Sequence, residues 1–103
     1  MPYMYILECS DGTYYVGSTW HVLERAQQHN DGLGSAYTSV RRPVRLLYSE
    51  EYSSIADAFA REKQVQGWGR RKRRVLIEER GAELPAIVRQ DKERRHRAKL
   101  EDP

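Results

Sequence analysis

Two residues in the first half of the chain have types and a spacing suited to phosphate chemistry. Arg25 and His29 lie four positions apart, and in a helix that spacing puts both side chains on one face. Arginine presents a planar fork of donors that fits a phosphate, and histidine can donate a hydrogen bond or move a proton near neutral pH. The pair therefore indicates an anion site, with an ordinary exposed polar face as the alternative interpretation.

Glu62 is a second chemical candidate because of its place on a predicted helix. The residues at positions i, i+3, i+4 and i+7 of one stripe are Ile55, Ala58, Phe59 and Glu62. The first three are apolar, so the stripe is expected to pack, and a carboxylate there is costly unless it is paired or bound to a cation. Glu62 therefore either forms a salt bridge, with Arg25 or Arg61 as candidate partner, or holds a hard divalent ion such as Mg²⁺.

A strongly basic stretch surrounds and follows Glu62. Between Arg61 and Arg74 the chain has seven basic residues and one acidic residue, and its net charge is +3. Such a cluster attracts polyanions, because each neutralised phosphate releases condensed counterions. The residues that we expect to bind nucleic acid are Lys63, Arg70, Arg71, Lys72, Arg73 and Arg74. The alternative is a solvated helix face that only confers solubility.

The elements that must position these residues follow from hydrophobic pattern and turn signals. The predicted strands are residues 3–9, 14–18 and 43–48, the last with a possible extension to 52. The predicted helices are residues 22–30, 54–66 and 70–80, and residues 33–42 form a predicted loop. The order β-β-α-β-α-α predicts an α/β (α+β) domain, with a small mixed or antiparallel three-stranded sheet flanked by helices.

The turn of the first hairpin decides whether two tyrosines share a face. A two-residue turn at Asp11-Gly12 would put Tyr5 and Tyr15 on opposite faces of the hairpin. A three-residue loop with a left-handed Gly12 pairs Tyr5 with Gly17 and brings both tyrosines to one face. A glycine within a strand often marks close approach by a ligand or another backbone. Taken alone, tyrosines in a hairpin more often pack than react.

Composition sets the broad class of the protein. Cys9 is the only cysteine, so a disulfide framework and a cysteine-based zinc site are excluded, and a reducing, cytoplasmic compartment is expected. No apolar run approaches the roughly 20 residues of a membrane span, and no signal peptide is visible. We expect one domain over residues 1–82, followed by a charged helix or tail over 83–103, where Pro85 could open a polar helix.

Together these residues resemble the GIY-YIG nuclease domain. The likeness covers about residues 2–80 and looks closest to the small stand-alone bacterial members. The matching elements are Tyr3-Met4-Tyr5, Tyr15-Val16-Gly17, Arg25, His29 and Glu62. Tyr3 stands where the first motif has glycine and Met4 where it has isoleucine. The later-helix asparagine of some members has no counterpart in the segment after Gly67.

The resemblance implies a three-stranded antiparallel sheet and an endonuclease that hydrolyses DNA phosphodiester bonds. The implied cofactor is Mg²⁺, with Mn²⁺ as a substitute, and no small-molecule cofactor is expected. Branched, flap or nicked DNA fits a lone catalytic domain with little sequence specificity. The alternatives are a non-catalytic nucleic-acid-binding module on a nuclease fold and a protein-interaction adaptor.

The resemblance also implies a role for each matching residue. Tyr5 and Tyr15 would position or deprotonate the attacking water, and Gly17 would leave room beside them. Arg25 would bind the scissile phosphate, and His29 would transfer a proton or contact the phosphate. Glu62 would hold the metal ion.

Overall fold

Three antiparallel strands form the centre of the protein in a computed structural model that describes residues 1–80. The strands are β1 (Tyr3–Glu8), β2 (Tyr14–Thr19) and β3 (Arg45–Glu51), and the helices are α1 (Val22–Asn30), α2 (Ala36–Ser39), α3 (Ile55–Gln66) and α4 (Arg70–Arg80). The order β2-β1-β3 makes β1 the central strand and β2 an edge strand. The predicted α+β class and antiparallel sheet are confirmed. The predicted tail, 83–103, lies outside the described residues.

The β1–β2 hairpin has the register of the three-residue loop. The Cys9 N–H donates to the Thr13 carbonyl at 2.8 Å, and Gly12 has a φ of 84°, a conformation that glycine adopts without steric cost. Tyr5 therefore lies opposite Gly17. Since side chains alternate along a strand, Tyr5 and Tyr15 share one face of the sheet, which confirms this interpretation of the turn.

Both faces of the sheet are covered. Val22 of α1 packs on the face of Tyr5 and Leu7, whereas Val65 of α3 and Leu76 of α4 pack on the opposite face. Side chains on both sides of β1 are consequently buried, which accounts for its nearly continuous apolar sequence. Within residues 1–80, no helix has the length and apolar character needed to cross a membrane.

The predicted loop over residues 33–42 was wrong in one respect, because it contains the single-turn helix α2. Ser35 caps this helix, and its side-chain oxygen accepts a hydrogen bond from the Thr38 N–H at 3.1 Å. A four-residue helix is too short to produce a periodic apolar pattern. The capping residue Ser35 is therefore the feature of the sequence that could have indicated this helix. The third strand, Arg45–Glu51, begins two residues after the predicted start and ends within the predicted extension to residue 52.

Helix α3 begins as predicted but buries a different face. The Ser54 side chain accepts a hydrogen bond from the Asp57 N–H at 3.1 Å. Ile55 and Phe59 are 36% and 50% exposed, so the predicted packing stripe is wrong at these two positions. The buried residues of the helix are Ala58, Glu62 and Val65. Glu62 is thus buried as expected, although its neighbours on the buried face differ.

Candidate active site

Tyr5 and His29 form a buried pair on the α1 side of the sheet. The Tyr5 hydroxyl lies 2.9 Å from Nε2 of His29, and both side chains are almost completely inaccessible to solvent. Gly17 lies opposite Tyr5 on the edge strand, and a Cβ at this position would be 2.4 Å from the Tyr5 hydroxyl oxygen. The phenol group of Tyr5 therefore occupies the space that a side chain at residue 17 would need.

We expect Gly17→Ala to displace the Tyr5 hydroxyl by about 1 Å and to lower the rate of any reaction at this site by about a hundredfold. The overpacking should also lower the free energy of unfolding by about 1–3 kcal/mol. Rates under single-turnover conditions and urea unfolding would measure the two effects. Gly69→Ala is the matched control, because a Cβ there would meet no atom within 4 Å. An active Gly17→Ala protein would show that the position of the hydroxyl is unimportant.

The second ring nitrogen of His29 contacts residues that the sequence did not single out. Nδ1 of His29 lies 2.7 Å from the Thr38 hydroxyl oxygen. A Cβ at residue 34 would be 2.1 Å from the same nitrogen, so Gly34 permits the imidazole to lie against the backbone. Neither Gly34 nor Thr38 stood in a motif that the sequence made recognisable.

Tyr15 extends the buried pair toward solvent. Its ring centroid lies 4.9 Å from that of His29 and 6.5 Å from that of Tyr5. The ring of Tyr37 stacks on Tyr15 at 6.3 Å, and the Tyr37 hydroxyl donates to the Thr13 hydroxyl oxygen at 2.7 Å. Tyr15 is partly exposed, so it lies at the boundary between the buried pair and the surface.

Arg25 lies one helical turn before His29, on the same side of α1. Its guanidinium donates to the side-chain oxygen of Gln28 at 2.9 Å and to the carbonyl of Gly34 at 3.0 Å. A guanidinium has five N–H donors, so donors remain for an anion after these two bonds. Arg25 is half-buried, and it lies on α1 four residues before the buried His29, in keeping with the predicted one-face arrangement.

The pKa values of Tyr5 and His29 are shifted in opposite directions. Burial raises the pKa of Tyr5 to about 12, the Arg25 guanidinium opposes this shift, and Tyr15 and, least of all, the Glu62 carboxylate add to it. Burial, together with the positive charge of Arg25, lowers the pKa of His29 to about 4. At pH 7 the pair therefore consists of a protonated tyrosine and a neutral histidine. The charges of Arg25 and Glu62 both act on the Tyr5 oxygen.

The depressed pKa of His29 predicts a pH dependence of stability. Between the ordinary pKa of 6.5 and the folded-state value of about 4, the unfolded chain binds a proton that the folded protein does not. The free energy of unfolding should therefore fall by about 2 kcal/mol as the pH decreases from 6.5 to 4.5. Asp11 and Glu50 also have lowered pKa values, but their contributions are lost only below their ordinary values of 3.8 and 4.5. Urea unfolding of His29→Gln should show a flatter profile, and an unchanged slope would contradict the assignment.

Glu62 approaches the edge strand from the opposite face of the sheet. One carboxylate oxygen accepts from the Ser18 hydroxyl at 2.8 Å, and the other accepts from the Gln66 amide at 3.1 Å and lies 3.5 Å from Nζ of Lys63. Gln66 also donates to the Val16 carbonyl at 3.2 Å, which ties the end of α3 to β2. The residues that receive these contacts, Val16 and Ser18, flank Gly17 on the edge strand β2.

Among residues 1–80, Glu62 pairs with neither of its expected partners, Arg25 and Arg61. Arg61 instead pairs with the buried Glu50, at 2.9 Å, and Lys63 is the cation beside Glu62. Sequence reasoning missed Ser18 and Gln66. Gln66 could have been found from its i, i+4 spacing to Glu62, whereas Ser18 reaches Glu62 only through the packing of α3 on β2.

The surroundings of Glu62 fit a hard divalent ion with few protein ligands. Within residues 1–80, no cluster of three or more His, Cys, Asp or Glu side chains could hold a metal. Mg²⁺ is commonly held by one or two carboxylates and completes its octahedron with water and substrate phosphate. Two carboxylate oxygens offer about four lone-pair positions, so Glu62 retains capacity beyond its present donors. The Ser18 hydroxyl adds a second oxygen beside it.

The predicted nucleic-acid-binding residues divide into two groups. Arg73 donates to the carbonyls of Val65 and Gln66 at 3.1 and 2.8 Å, and Arg70 donates to the Gly12 carbonyl. These contacts tie α4 to α3 and to the hairpin, so both arginines have structural partners. Lys63, Arg71, Lys72 and Arg74 are exposed; Lys72 lies 4.4 Å from the ring of Trp68, and Arg74 pairs with Glu78 at 3.3 Å.

Comparison with known proteins identifies the family. The model of the GIY-YIG catalytic domain matches residues 1–74. A UPF0213 protein from Staphylococcus aureus is 44% identical over 78 residues, which cover 76% of this chain and 95% of that protein.

Two solved structures are similar over most of their length. The solution NMR structure of the UPF0213 protein BH0048 from Bacillus halodurans has 35% sequence identity and a TM-score of 0.53, and the match covers 87% of this chain and 94% of that one. The protein EF2693 from E. faecalis has 27% identity and a TM-score of 0.53, covering 81% and 88%. These relatives are small proteins composed almost entirely of the matched region. The chain therefore belongs to the GIY-YIG family of nuclease-type catalytic domains.

Proposed function

We propose that this protein is a metal-dependent endonuclease that hydrolyses phosphodiester bonds in DNA with little sequence specificity. The observation that carries the proposal is the buried hydrogen bond between Tyr5 and His29, which forms where Gly17 leaves room and which the ring of Tyr15 connects to the surface. The Arg25 guanidinium and the Glu62 carboxylate both act on the Tyr5 oxygen, which is also held by His29. A tyrosine hydroxyl with a histidine and an arginine beside it is suited to binding a phosphate and activating water.

Arg25 is proposed to bind the scissile phosphate. Its contacts with Gln28 and Gly34 leave N–H donors unused, and they hold the guanidinium in place before substrate arrives. Charge that develops on the phosphate oxygens is then met by donors that need no reorganisation. The fixed orientation is the property that a lysine at this position would lack.

Tyr5 and Tyr15 are proposed to hold the attacking water. The hydroxyl of Tyr5 is buried against Gly17, and the ring of Tyr15 lies between His29 and the surface. His29 is neutral at pH 7, so it can accept a hydrogen bond or a proton. A divalent ion bound by Glu62, either Mg²⁺ or Mn²⁺, would polarise the phosphate and stabilise the leaving oxygen.

The substrate is proposed to be bound through its backbone. Lys63, Arg71, Lys72 and Arg74 are exposed on α3 and α4, and lysine and arginine contacts to phosphate fix a position without reading bases. Duplex DNA with a nick, flap or branch suits such a surface. We propose residues 1–82 as the catalytic domain and 83–103 as a charged extension of it.

Cleavage of supercoiled plasmid and of end-labelled flap, junction and single-stranded substrates would test the proposal, with RNA of matched sequence for comparison. Nicked product should appear with Mg²⁺ or Mn²⁺ and disappear with excess chelator. Salt-dependent binding without product under every metal condition would instead support a non-catalytic binding module. Absence of salt-dependent binding to any nucleic acid would favour the adaptor.

A further inference from the structure

The segment from Gly34 to Thr38 contacts both polar residues of α1. Arg25 donates to the Gly34 carbonyl, and Nδ1 of His29 lies 2.7 Å from the Thr38 hydroxyl oxygen. Thr38 is completely buried, as is His29. A hydroxyl buried against an imidazole constrains where the ring proton resides, because a neutral imidazole has one donor nitrogen and one acceptor nitrogen.

The hydrogen bonds of Ser35 restrict the proton of Thr38. The Ser35 side-chain oxygen accepts from the Thr38 N–H at 3.1 Å and lies 2.9 Å from the Thr38 hydroxyl oxygen. The Ser35 hydroxyl can therefore donate to Thr38. The Thr38 hydroxyl in turn has the Ser35 carbonyl as an acceptor at 3.4 Å. With that assignment, the Thr38 oxygen accepts from Nδ1–H of His29.

In the protein without bound substrate, the opposite assignment leaves a buried proton without an acceptor among residues 1–80. If Thr38 donated to Nδ1, then Nε2–H of His29 would donate to the Tyr5 oxygen, and the Tyr5 proton would need another acceptor. Tyr5 is 1% exposed, and among residues 1–80 the acceptor within reach of its hydroxyl is Nε2 of His29. A buried donor without a partner costs about 1–3 kcal/mol. The first assignment satisfies every proton in the chain of contacts.

We propose that Thr38 is a positioning residue that holds His29 in the tautomer protonated at Nδ1, so that Nε2 accepts the hydroxyl proton of Tyr5. This inference rests on the proposed function for its catalytic consequence. With its proton directed at His29, the Tyr5 oxygen presents lone pairs to the site and accepts a hydrogen bond from the attacking water. In the other tautomer, the Tyr5 oxygen would accept from His29 and direct its proton at the water.

The unsubstituted protein provides the first test. Two-bond ¹H–¹⁵N correlation spectra at pH 7, recorded without nucleic acid or metal, distinguish the two nitrogens of the His29 imidazole. We expect the proton on Nδ1 in the wild-type protein. A proton on Nε2 would overturn the proposal, whatever the protein cleaves. This measurement therefore fails or succeeds independently of the nuclease assignment.

Thr38→Val and Thr38→Ser provide the second test. Valine keeps the shape of threonine without the hydroxyl, so we expect a shift of the His29 proton toward Nε2 and a decrease in kcat of about 10- to 100-fold, with KM nearly unchanged. Serine restores the hydroxyl and should restore both the tautomer and kcat. An unshifted tautomer in Thr38→Val, or a Thr38→Ser protein in which the Nε2 form predominates, would overturn the proposal. If Thr38→Val does not fold, the wild-type and serine spectra decide.

Discussion

Replacement of Glu62 by glutamine is expected to reduce metal-dependent cleavage by about a thousandfold while the fold is retained. The loss of the single carboxylate beside the site removes the charge that would hold the metal ion, and the ion contributes several kcal/mol of transition-state stabilisation. Glutamine keeps an oxygen that can still accept from the Ser18 hydroxyl, which lies 2.8 Å from the carboxylate in the wild-type protein. Single-turnover cleavage rates at several Mg²⁺ concentrations would measure the effect.

Glu79→Gln is the control for this change of charge. Glu79 is exposed on α4, so its replacement has the same effect on net charge at a distance from the proposed centre. It should retain activity within about twofold, as is usual for surface substitutions. Wild-type cleavage by Glu62→Gln at low Mg²⁺ concentration would show that Glu62 is a buried structural carboxylate and no ligand of the metal.

Replacement of Tyr5 by phenylalanine is expected to lower kcat by about 10²- to 10⁴-fold, the range for loss of a group that assists proton transfer. The hydroxyl is the point where His29, Arg25 and Glu62 act together. Its loss also leaves Nε2 of buried His29 without this partner, so the free energy of unfolding should fall by about 1–3 kcal/mol. Steady-state kinetics and urea unfolding of the same preparation would separate the two effects.

Tyr3→Phe is the matched control for Tyr5→Phe. Tyr3 lies two residues earlier on β1, and its partly buried ring packs against the same cluster as Tyr5. Its hydroxyl should be dispensable for cleavage. Comparison with Tyr15→Phe shows which of the two tyrosine hydroxyls acts on the attacking water. A large loss in Tyr15→Phe together with an active Tyr5→Phe would show that Tyr15 handles the water.

The sequence limited the hairpin to two registers, because the register depends on the local chemistry of the turn. A left-handed Gly12 selects the three-residue loop, and the period of two along a strand then fixes which side chains share a face. Tyr5, Tyr15 and Gly17 follow from that single choice. The shared helix face of Arg25 and His29 could also be predicted from the sequence, since i, i+4 spacing requires no tertiary information.

The partners of these residues could not be predicted in the same way. Thr38 contacts His29 across nine positions of sequence, through a helix of one turn that depends on tertiary packing for its stability. The stripe on α3 failed for a related reason. The apolar residues of α3 are compatible with burial of more than one face of the helix. In the structure the sheet does not cover Phe59, whose ring centroid lies 4.8 Å from Nζ of Lys63.

The most direct test of the account is the position of a bound metal ion. Crystals of the wild-type protein soaked with Mn²⁺ would reveal the ion through its anomalous scattering. The account predicts one peak at about 2.0–2.2 Å from a Glu62 carboxylate oxygen, on the side of the Tyr5 and Tyr15 hydroxyls, and no peak in Glu62→Gln. A Mn²⁺ ion bound away from Glu62, or an unoccupied Glu62 in crystals of protein that cleaves DNA in the soaking buffer, would contradict it.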